Sequence, residues 1–439
     1  MRISLISIIL GIILLLGGGF LRCAQFPEQR VSLQYLAFQV FTDGDPKVAL
    51  GSSGIRPLQL LSKSIMSTFV QDIIDRIGVT GDNRRKLAFI VGPLAFDHED
   101  ADLRRFIREA FEIAVEKNIA VGFHIDDSKF WIRRSDLWHN IRNVEWRDWK
   151  GTPSTGAKLD WGGPPVKIGP QMCFNSKVVQ REVQHLARDV IGKEIKGNTN
   201  KLKESGKEEL FAGVILGWET GLWRDFDDAL LGYCALTNRG FSAIHPPQDP
   251  DLEREKIVHE WIELWARSLV GAGIAKEKLY SHVAFSPKSA YEEMRRQDPS
   301  SVGATYSRHV GFAPAWVAFG QNHNPGFTIY GTLGVVDELY AELAKQGNPH
   351  WASAEGTNVG QVVGVRMESY LAKMFNHGAS LVNIFAWGVG GDEERNSPFR
   401  VATESAEAIA AYKKFLRGEP LKEETILERF KILLRQILF

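Results

Sequence analysis

Cysteine is scarce in this chain, with three residues in 439, at positions 23, 173 and 234. So few thiols cannot make a disulfide framework, and the core has to be held by packing. Cys173 and Cys234 could pair only in an oxidising compartment. An excess of one charge is also missing, because 53 Lys and Arg balance 53 Asp and Glu. Without a basic surplus nothing displaces counterions from a phosphate backbone, which argues against a nucleic-acid partner. Only 11 histidines occur, with no metal-like cluster beyond one His-x-Asp pair, and no metal or organic cofactor is expected. Past the first 21 residues no apolar run approaches the length of a membrane span. The rest of the composition, 44% hydrophobic and 24% charged, excludes a disordered, collagen-like or multi-span membrane chain.

Residues 1–21 are the exception. Arg2 opens a stretch that is almost wholly apolar from Ile3 to Leu16. Gly17-Gly18-Gly19 then puts small residues at the −3 and −1 positions of a cut after Gly19, the layout of a secretory signal peptide. The run extends to Leu21, about 19 residues, so the same segment would also serve as an uncleaved anchor. Cys23 suggests lipid attachment, but Arg22 stands where such sites want a small residue. Residues 1–24 are therefore read as a signal peptide or N-terminal membrane anchor. The protein is expected to be exported (periplasmic, cell-surface or secreted), with membrane attachment through this segment only.

From there strand-like and helix-like patterns alternate. Continuous apolar runs at Tyr35–Phe41, Leu87–Val91, Ile119–Phe123 and Phe211–Leu216 read as strands buried on both faces. Helical spacing follows them at Pro57–Ile77, Leu103–Ala114, Val178–Ile191 and Arg254–Leu269. The alternation continues with strands at Leu279–Phe285, Gly326–Tyr330, His350–Ala354 and Leu381–Ala386. Their helices fall near Ser289–Arg296, Val335–Lys345, Gln361–Phe375 and Thr403–Leu416. Eight strand–helix pairs make an α/β chain of the (β/α)8 TIM-barrel class, one domain over residues 30–439. A doubly wound open sheet is the competing arrangement, but no Gly-rich phosphate fingerprint follows the first strand. Residues 418–439 read as a C-terminal amphipathic helix on the barrel exterior.

Loop length is uneven. About fifty residues separate strand three from its helix, more than thirty follow strand four, and roughly forty lie between strands five and six. The opposite connections look short apart from a Lys-rich stretch at Gly192–Glu208. Long βα loops gather at the C-terminal mouth of a barrel, where chemistry is built. Strand three ends at His124 and Asp126, strand four at Trp218-Glu219, strand seven at Glu355 and strand eight at Trp387. Glutamates at the tips of strands four and seven face each other across a barrel mouth. Two opposed carboxyls are the equipment of retaining glycoside hydrolysis, one as proton donor and the other as nucleophile.

In these features the chain resembles the clan A glycoside hydrolases over about residues 33–416. The resemblance implies Glu219 as acid/base, Glu355 as nucleophile and Trp387 as the floor of the −1 subsite. The substrate it implies is a β-linked glycoside, oligosaccharide or polysaccharide. One departure is that Trp218 precedes the acid/base, where the clan commonly has Asn. The hydrogen bond to the sugar 2-hydroxyl then falls to His124, Asp126, Asn322 or His323, and Tyr330 or His323 would steady the nucleophile.

Two alternatives remain in view. A His-x-Asp strand end puts His124 and Asp126 on one face, a pair that a metal-dependent barrel hydrolase could use. A non-catalytic carbohydrate-binding barrel would keep a Trp-rich mouth but need no opposed carboxylates. Twelve Trp and 41 Gly stand out, and nine Trp lie between Trp131 and Trp265. Of Trp131, Trp138, Trp146, Trp149 and Trp161, about two are expected to stack on carbohydrate. Glu145, Asp148, Asp160, Asp225, Asp227 and Asp228 are expected to be mostly solvated, while Asp392, Glu393 and Glu394, just past strand eight, could touch substrate hydroxyls.

Overall fold

Eight short apolar runs become eight parallel strands. They are β1 (Gln34–Phe41), β2 (Arg85–Leu94), β3 (Ala120–Ile125), β4 (Phe211–Leu216), β5 (Leu279–Ser281), β6 (Gly326–Tyr330), β7 (Trp351–Thr357) and β8 (Ala379–Ile384). The structure, a computed structural model, describes residues 33–42, 58–158, 166–285, 313–330, 333–358, 365–385, 387 and 403–424. The strands hydrogen-bond in the order β5-β4-β3-β2-β1-β8-β7-β6. The two ends meet through Ser281 N to Asn324 O at 3.0 Å, Val283 N to Gly326 O at 3.1 Å and Thr328 N to Val283 O at 2.9 Å. The sheet therefore closes into the (β/α)8 barrel that the strand–helix alternation predicts.

Alternation along each strand separates two cores. Inside the barrel lie Tyr35, Ala37, Ala88, Ile90, Ala120, Ala212, Ile215, Tyr280, Ala352, Ala354 and Leu381, with many alanines where eight strands converge. Outside, Leu36, Phe38, Leu87, Phe89 and Val121 pack against the helices. Helix α1 (Lys63–Ile77) begins later than the expected Pro57, because Ser62 caps it by accepting from Ile65 N. Helix α2 (Asp100–Lys117) carries Asp100 and Asp102 in its first turn and buries Leu103, Phe106, Ile107 and Ala110. Further round the barrel come α4 (Pro250–Gly271), α5 (Leu333–Lys345), α6 (Met367–Phe375) and α7 (Ala406–Leu416).

Helix α3 corrects the sequence reading. It runs through Lys177–Gln184, a wider π-type stretch His185–Gly192, and Lys193–Glu204. The Lys-rich segment expected to be a connection is thus helical. Lys and Glu are good helix formers, and Ile195, Asn198 and Leu202 recur at 3–4 spacing on the buried side. Several expectations lie outside the described residues: residues 1–24, the helix near 289–296, Trp161, Asp160 and Asp392–Glu394. Residues 419–424 of the expected C-terminal helix are not helical, and the rest of it lies outside as well. Among the described residues no helix is long and apolar enough to cross a membrane.

The long loop after β3 is anchored by its own tryptophans, not opened by them. Trp131 donates to Pro170 O at 2.8 Å, Trp138 to Ile132 O at 3.1 Å and Trp146 to Ile141 O at 2.7 Å. Trp149 meets Tyr233 edge-on. Glu145 and Asp225 are buried rather than solvated. Asp225 takes the backbone N–H of Ala229 at 2.8 Å and of Thr155 at 3.2 Å. Glu145 accepts the backbone N–H of Cys234 and Ala235, both at 3.2 Å, and so ties the β3 loop to the segment after β4.

Burial pushes the Glu145 carboxyl up to about 7 from its ordinary 4.5. The folded chain keeps a proton there that the unfolded chain has already lost, so this group's stabilisation is present below about pH 4.5 and lost as pH rises toward 7. Glu145→Gln should shrink the fall in stability between about pH 5 and 7, read from urea midpoints. An unchanged fall would contradict this role.

Candidate active site

A carboxylate following the end of β4 is aimed by the backbone. Gly217 has φ +96°, and a β-carbon there would come within 2.2 Å of Thr220 Oγ1. Glu219 itself has φ +54°, in the left-handed region that side chains other than glycine seldom adopt. The turn is pinned from behind. Thr220 Oγ1 donates to Asp127 Oδ2 at 2.7 Å, and Trp261 Nε1 donates to the same oxygen at 2.8 Å. Burial and the charge of Asp126 push Asp127 up to about 6. A strained non-glycine residue held by such supports is the kind of outlier found where a side chain has a task.

Glu355 is aimed differently. Ala354 faces the barrel interior, so strict alternation would send Glu355 outward. The register against β6 steps from Phe327↔Ser353 to Thr328↔Glu355, and the β8 register shifts at the same place. This β-bulge inserts one residue and returns Glu355 to the inner face, a device common next to active sites. Gly356 follows with its backbone against β6, where a β-carbon would sit 1.9 Å from Ile329 O and 2.5 Å from Tyr370 Oη.

Strand β6 then joins the two acids. Thr328 Oγ1 lies 2.9 Å from Glu219 Oε1, and Tyr330 Oη donates to Glu355 Oε1 at 2.6 Å. Thr328 and Tyr330 are two apart on one face, roughly 7 Å along the strand. Both carboxyl groups are thus gathered on one side of the mouth. Burial lifts the Glu219 carboxyl above its ordinary range, while the Lys129 ammonium pulls the other way.

Beneath them runs a buried polar row. Asn383 Nδ2 lies 2.9 Å from Gln39 Oε1, which is 3.0 Å from His124 Nδ1. His124 Nε2 is 2.9 Å from His282 Nδ1, and His282 Nε2 is 2.8 Å from Thr328 Oγ1. Burial depresses both imidazoles. His282 goes down to about 3, and His124, further opposed by its neighbour His282, falls well below 6.5. Trp218 stacks on His124 at 4.2 Å between ring centres.

The expected site residues divide. Glu219, Glu355, Tyr330, His124 and Trp218 come together at the mouth. Trp387 does not. Strand β8 ends at Ile384, so alternation no longer governs residue 387, and its indole packs edge-on to Phe38 in the outer layer and donates to Asp72 Oδ2 at 2.8 Å. Phe41, Trp218 and Phe385 form a separate aromatic cluster on the inner side, with Phe41 5.6 Å from Phe385 and 6.2 Å from Trp218. Asn322 and His323 precede β6, at the opposite end of the barrel. Asn322 donates to Glu263 Oε2 at 2.8 Å, and His323 Nε2 lies 3.5 Å from Glu263 Oε1. They cannot serve a sugar at the mouth.

Asp126 also departs from its expected place. Strand β3 stops at Ile125, and Asp126 Oδ1 accepts the backbone N–H of Ser128, Lys129 and Phe130 while His124 turns inward. The pair does not converge as metal ligands would, and among the described residues no group of three or more His, Cys, Asp or Glu is placed to hold a metal ion. The sequence reading missed Gln39, His282, Thr328, Asn383, Phe41 and Phe385. A usable signal existed for His282 and Thr328. His282 follows β5 as His124 closes β3, and Thr328 stands two residues before Tyr330.

No family model matches the chain, and no curated protein matches it. Among solved structures it is similar to the catalytic domain of β-amylase from Paenibacillus polymyxa, at 8% identity and a TM-score of 0.48, covering 88% of this chain and 98% of that one. The endo-β-1,4-mannanase from Thermotoga petrophila is 10% identical with a TM-score of 0.45, covering 90% and 79%. A tri-modular GH5 (subfamily 4) endo-β-1,4-glucanase from Bacillus licheniformis is 10% identical with a TM-score of 0.40, covering 89% and 60%. Likeness at these identities concerns the fold alone.

The bulge has a direct test. Gly356→Ala forces β6 and β7 apart and should destabilise the protein by about 2 kcal/mol or more. Gly197→Ala, in α3 with open space around its β-carbon, should instead stabilise by about 0.5–1 kcal/mol. Urea denaturation compares the two, and equal small effects would contradict the tight β6–β7 contact.

Proposed function

We propose that the protein is a retaining glycoside hydrolase acting on a β-linked glycoside, oligosaccharide or polysaccharide. The observation that carries this reading is the convergence of Glu219 and Glu355 on adjacent side chains of β6, each turned inward by an irregular backbone. A structural barrel needs neither a left-handed glutamate nor a bulge that returns a carboxylate to the interior. A purely carbohydrate-binding barrel needs no opposed acids.

In the first step Glu219, held protonated by its buried setting, gives its proton to the departing oxygen. Glu355 attacks the anomeric carbon through a carboxylate oxygen, and a glycosyl ester forms as the glycosidic bond breaks. In the second step Glu219, now a carboxylate, takes a proton from water. The resulting hydroxide displaces Glu355 and releases the sugar with its original anomeric configuration. The phenol of Tyr330 restrains the orientation of Glu355, and Phe41, Trp218 and Phe385 supply an apolar floor for the sugar ring. The route requires no cofactor. The N-terminal segment read as an export signal or anchor fits a substrate met outside the cytoplasm.

Aryl β-glycosides and polysaccharides, with product anomers followed by NMR, test the proposal. The β-anomer should appear first. Glu355→Gln should lower turnover at least about 10³-fold on every substrate, whereas Glu219→Gln should retain more of the first step for leaving groups that need little protonation. Wild-type rates in both variants, or initial release of the α-anomer, would overturn the assignment.

A further inference from the structure

The buried row beneath Glu219 has a direction, and one backbone carbonyl sets it. Asn383 Nδ2 lies 2.9 Å from Ala354 O, an atom that can only accept, so the amide nitrogen of Asn383 faces that side. Its second hydrogen then goes to Gln39 Oε1 at 2.9 Å. Gln39 Oε1, an acceptor, also receives from His124, so the His124 proton sits on Nδ1. His124 is fully buried and neutral, which leaves Nε2 a lone pair that must accept. Among the described residues the donor facing it is His282 Nδ1, since Gly217 O, 2.9 Å away, is another acceptor. His282 Nδ1–H is shared with Gly217 O at 3.2 Å. His282 Nε2 must in turn accept, and its partner is the hydroxyl of Thr328 at 2.8 Å. That hydroxyl has a single hydrogen. Once it is given to His282, Thr328 Oγ1 offers Glu219 only lone pairs, and the 2.9 Å contact is satisfied when Glu219 donates.

We propose that Asn383, Gln39, His124, His282 and Thr328 form a one-way hydrogen-bond relay that keeps the resting proton on Glu219, with His124, His282 and Thr328 as positioning residues for the acid step. This rests on Glu219 acting as the acid/base. When Glu219 has given up its proton, the Thr328 hydroxyl must either turn to the carboxylate and abandon His282 Nε2 or leave the carboxylate without that bond. In either case one buried polar contact is lost, so the relay penalises the ionised form and favours reprotonation by the attacking water. Among the described residues, the other charged or titratable groups on the elements around Glu219 include Lys129 from the loop after β3, Asp127 behind Thr220, Glu355 on β7 and Tyr330 on β6. Among them Lys129 opposes the relay.

Two measurements decide the matter. In the intact wild-type protein, ¹⁵N-histidine NMR should show His124 and His282 as neutral Nδ1–H tautomers that do not change between about pH 5 and 8. An Nε2–H tautomer at either position overturns the proposal whether or not the protein hydrolyses any glycoside. In His282→Phe the Thr328 hydroxyl is released to donate to the Glu219 carboxylate. The alkaline limb of kcat/KM should therefore move down by about one pH unit, roughly tenfold in rate above the limb. A folded variant whose limb stays in place overturns the relay. Loss of all glycoside hydrolysis in the wild type would instead remove the catalytic reading and leave the tautomers to be judged alone.

Discussion

A strand sends successive side chains to opposite faces, and a closed barrel gives those faces opposite fates. A side chain that faces in meets the mouth or the inner core, and one that faces out meets helices. Ala354 faces in, so Glu355 reaches the mouth only because β7 carries one residue more than β6 opposite it. The contact of Gly356 with Ile329 O leaves no room for a side chain there, and Tyr330 then fixes the carboxylate that the bulge has turned. The site geometry depends on this one insertion.

The second acid is placed by a different irregularity, a left-handed residue, and a different set of supports. Asp127 and Trp261 brace the turn through Thr220, while Lys129 donates to Trp218 O at 2.6 Å. Strand β6 couples the two arrangements, because Thr328 and Tyr330 sit side by side on its inner face. Directly below this level the interior is apolar, with Ala37, Ala88, Ile90, Ile215 and Leu381. Gln39, His124, His282 and Asn383 are all fully buried, yet each has a hydrogen-bond partner in the row. Matching donors to acceptors along the row gives it a fixed polarity, although Asn383 Oδ1 has no partner among the described residues.

Much of this was legible in the sequence where the pattern is periodic. The apolar runs at 35–41, 87–91 and 211–216 announce buried parallel strands, and the long stretches after strands three and four mark the mouth. Glu219 and Glu355 stand out in the sequence by their positions at strand ends, and the structure brings both to β6 side chains. What was not legible depends on small departures from periodicity. Nothing local announces the extra residue in β7. Trp387 looked like a floor because it follows a strand, but β8 ends three residues earlier and the indole reaches Asp72 outside. Asn322 and His323 looked close to the site because they precede β6 by a few residues, yet the direction of the strand puts them at the far end. The N–H groups of Trp131, Trp138 and Trp146 are tied to backbone carbonyls of the same long excursion, which spacing alone does not reveal.

The central claim is that Glu355 becomes covalently bonded to the sugar. An activated 2-deoxy-2-fluoro β-glycoside, made from a sugar the protein cleaves, tests it most directly by intact mass spectrometry followed by peptide mapping. The account predicts a mass increase of one fluoroglycosyl unit, located on the peptide that contains Glu355. No mass increase during turnover of the parent glycoside, or a label on any other residue, would contradict it.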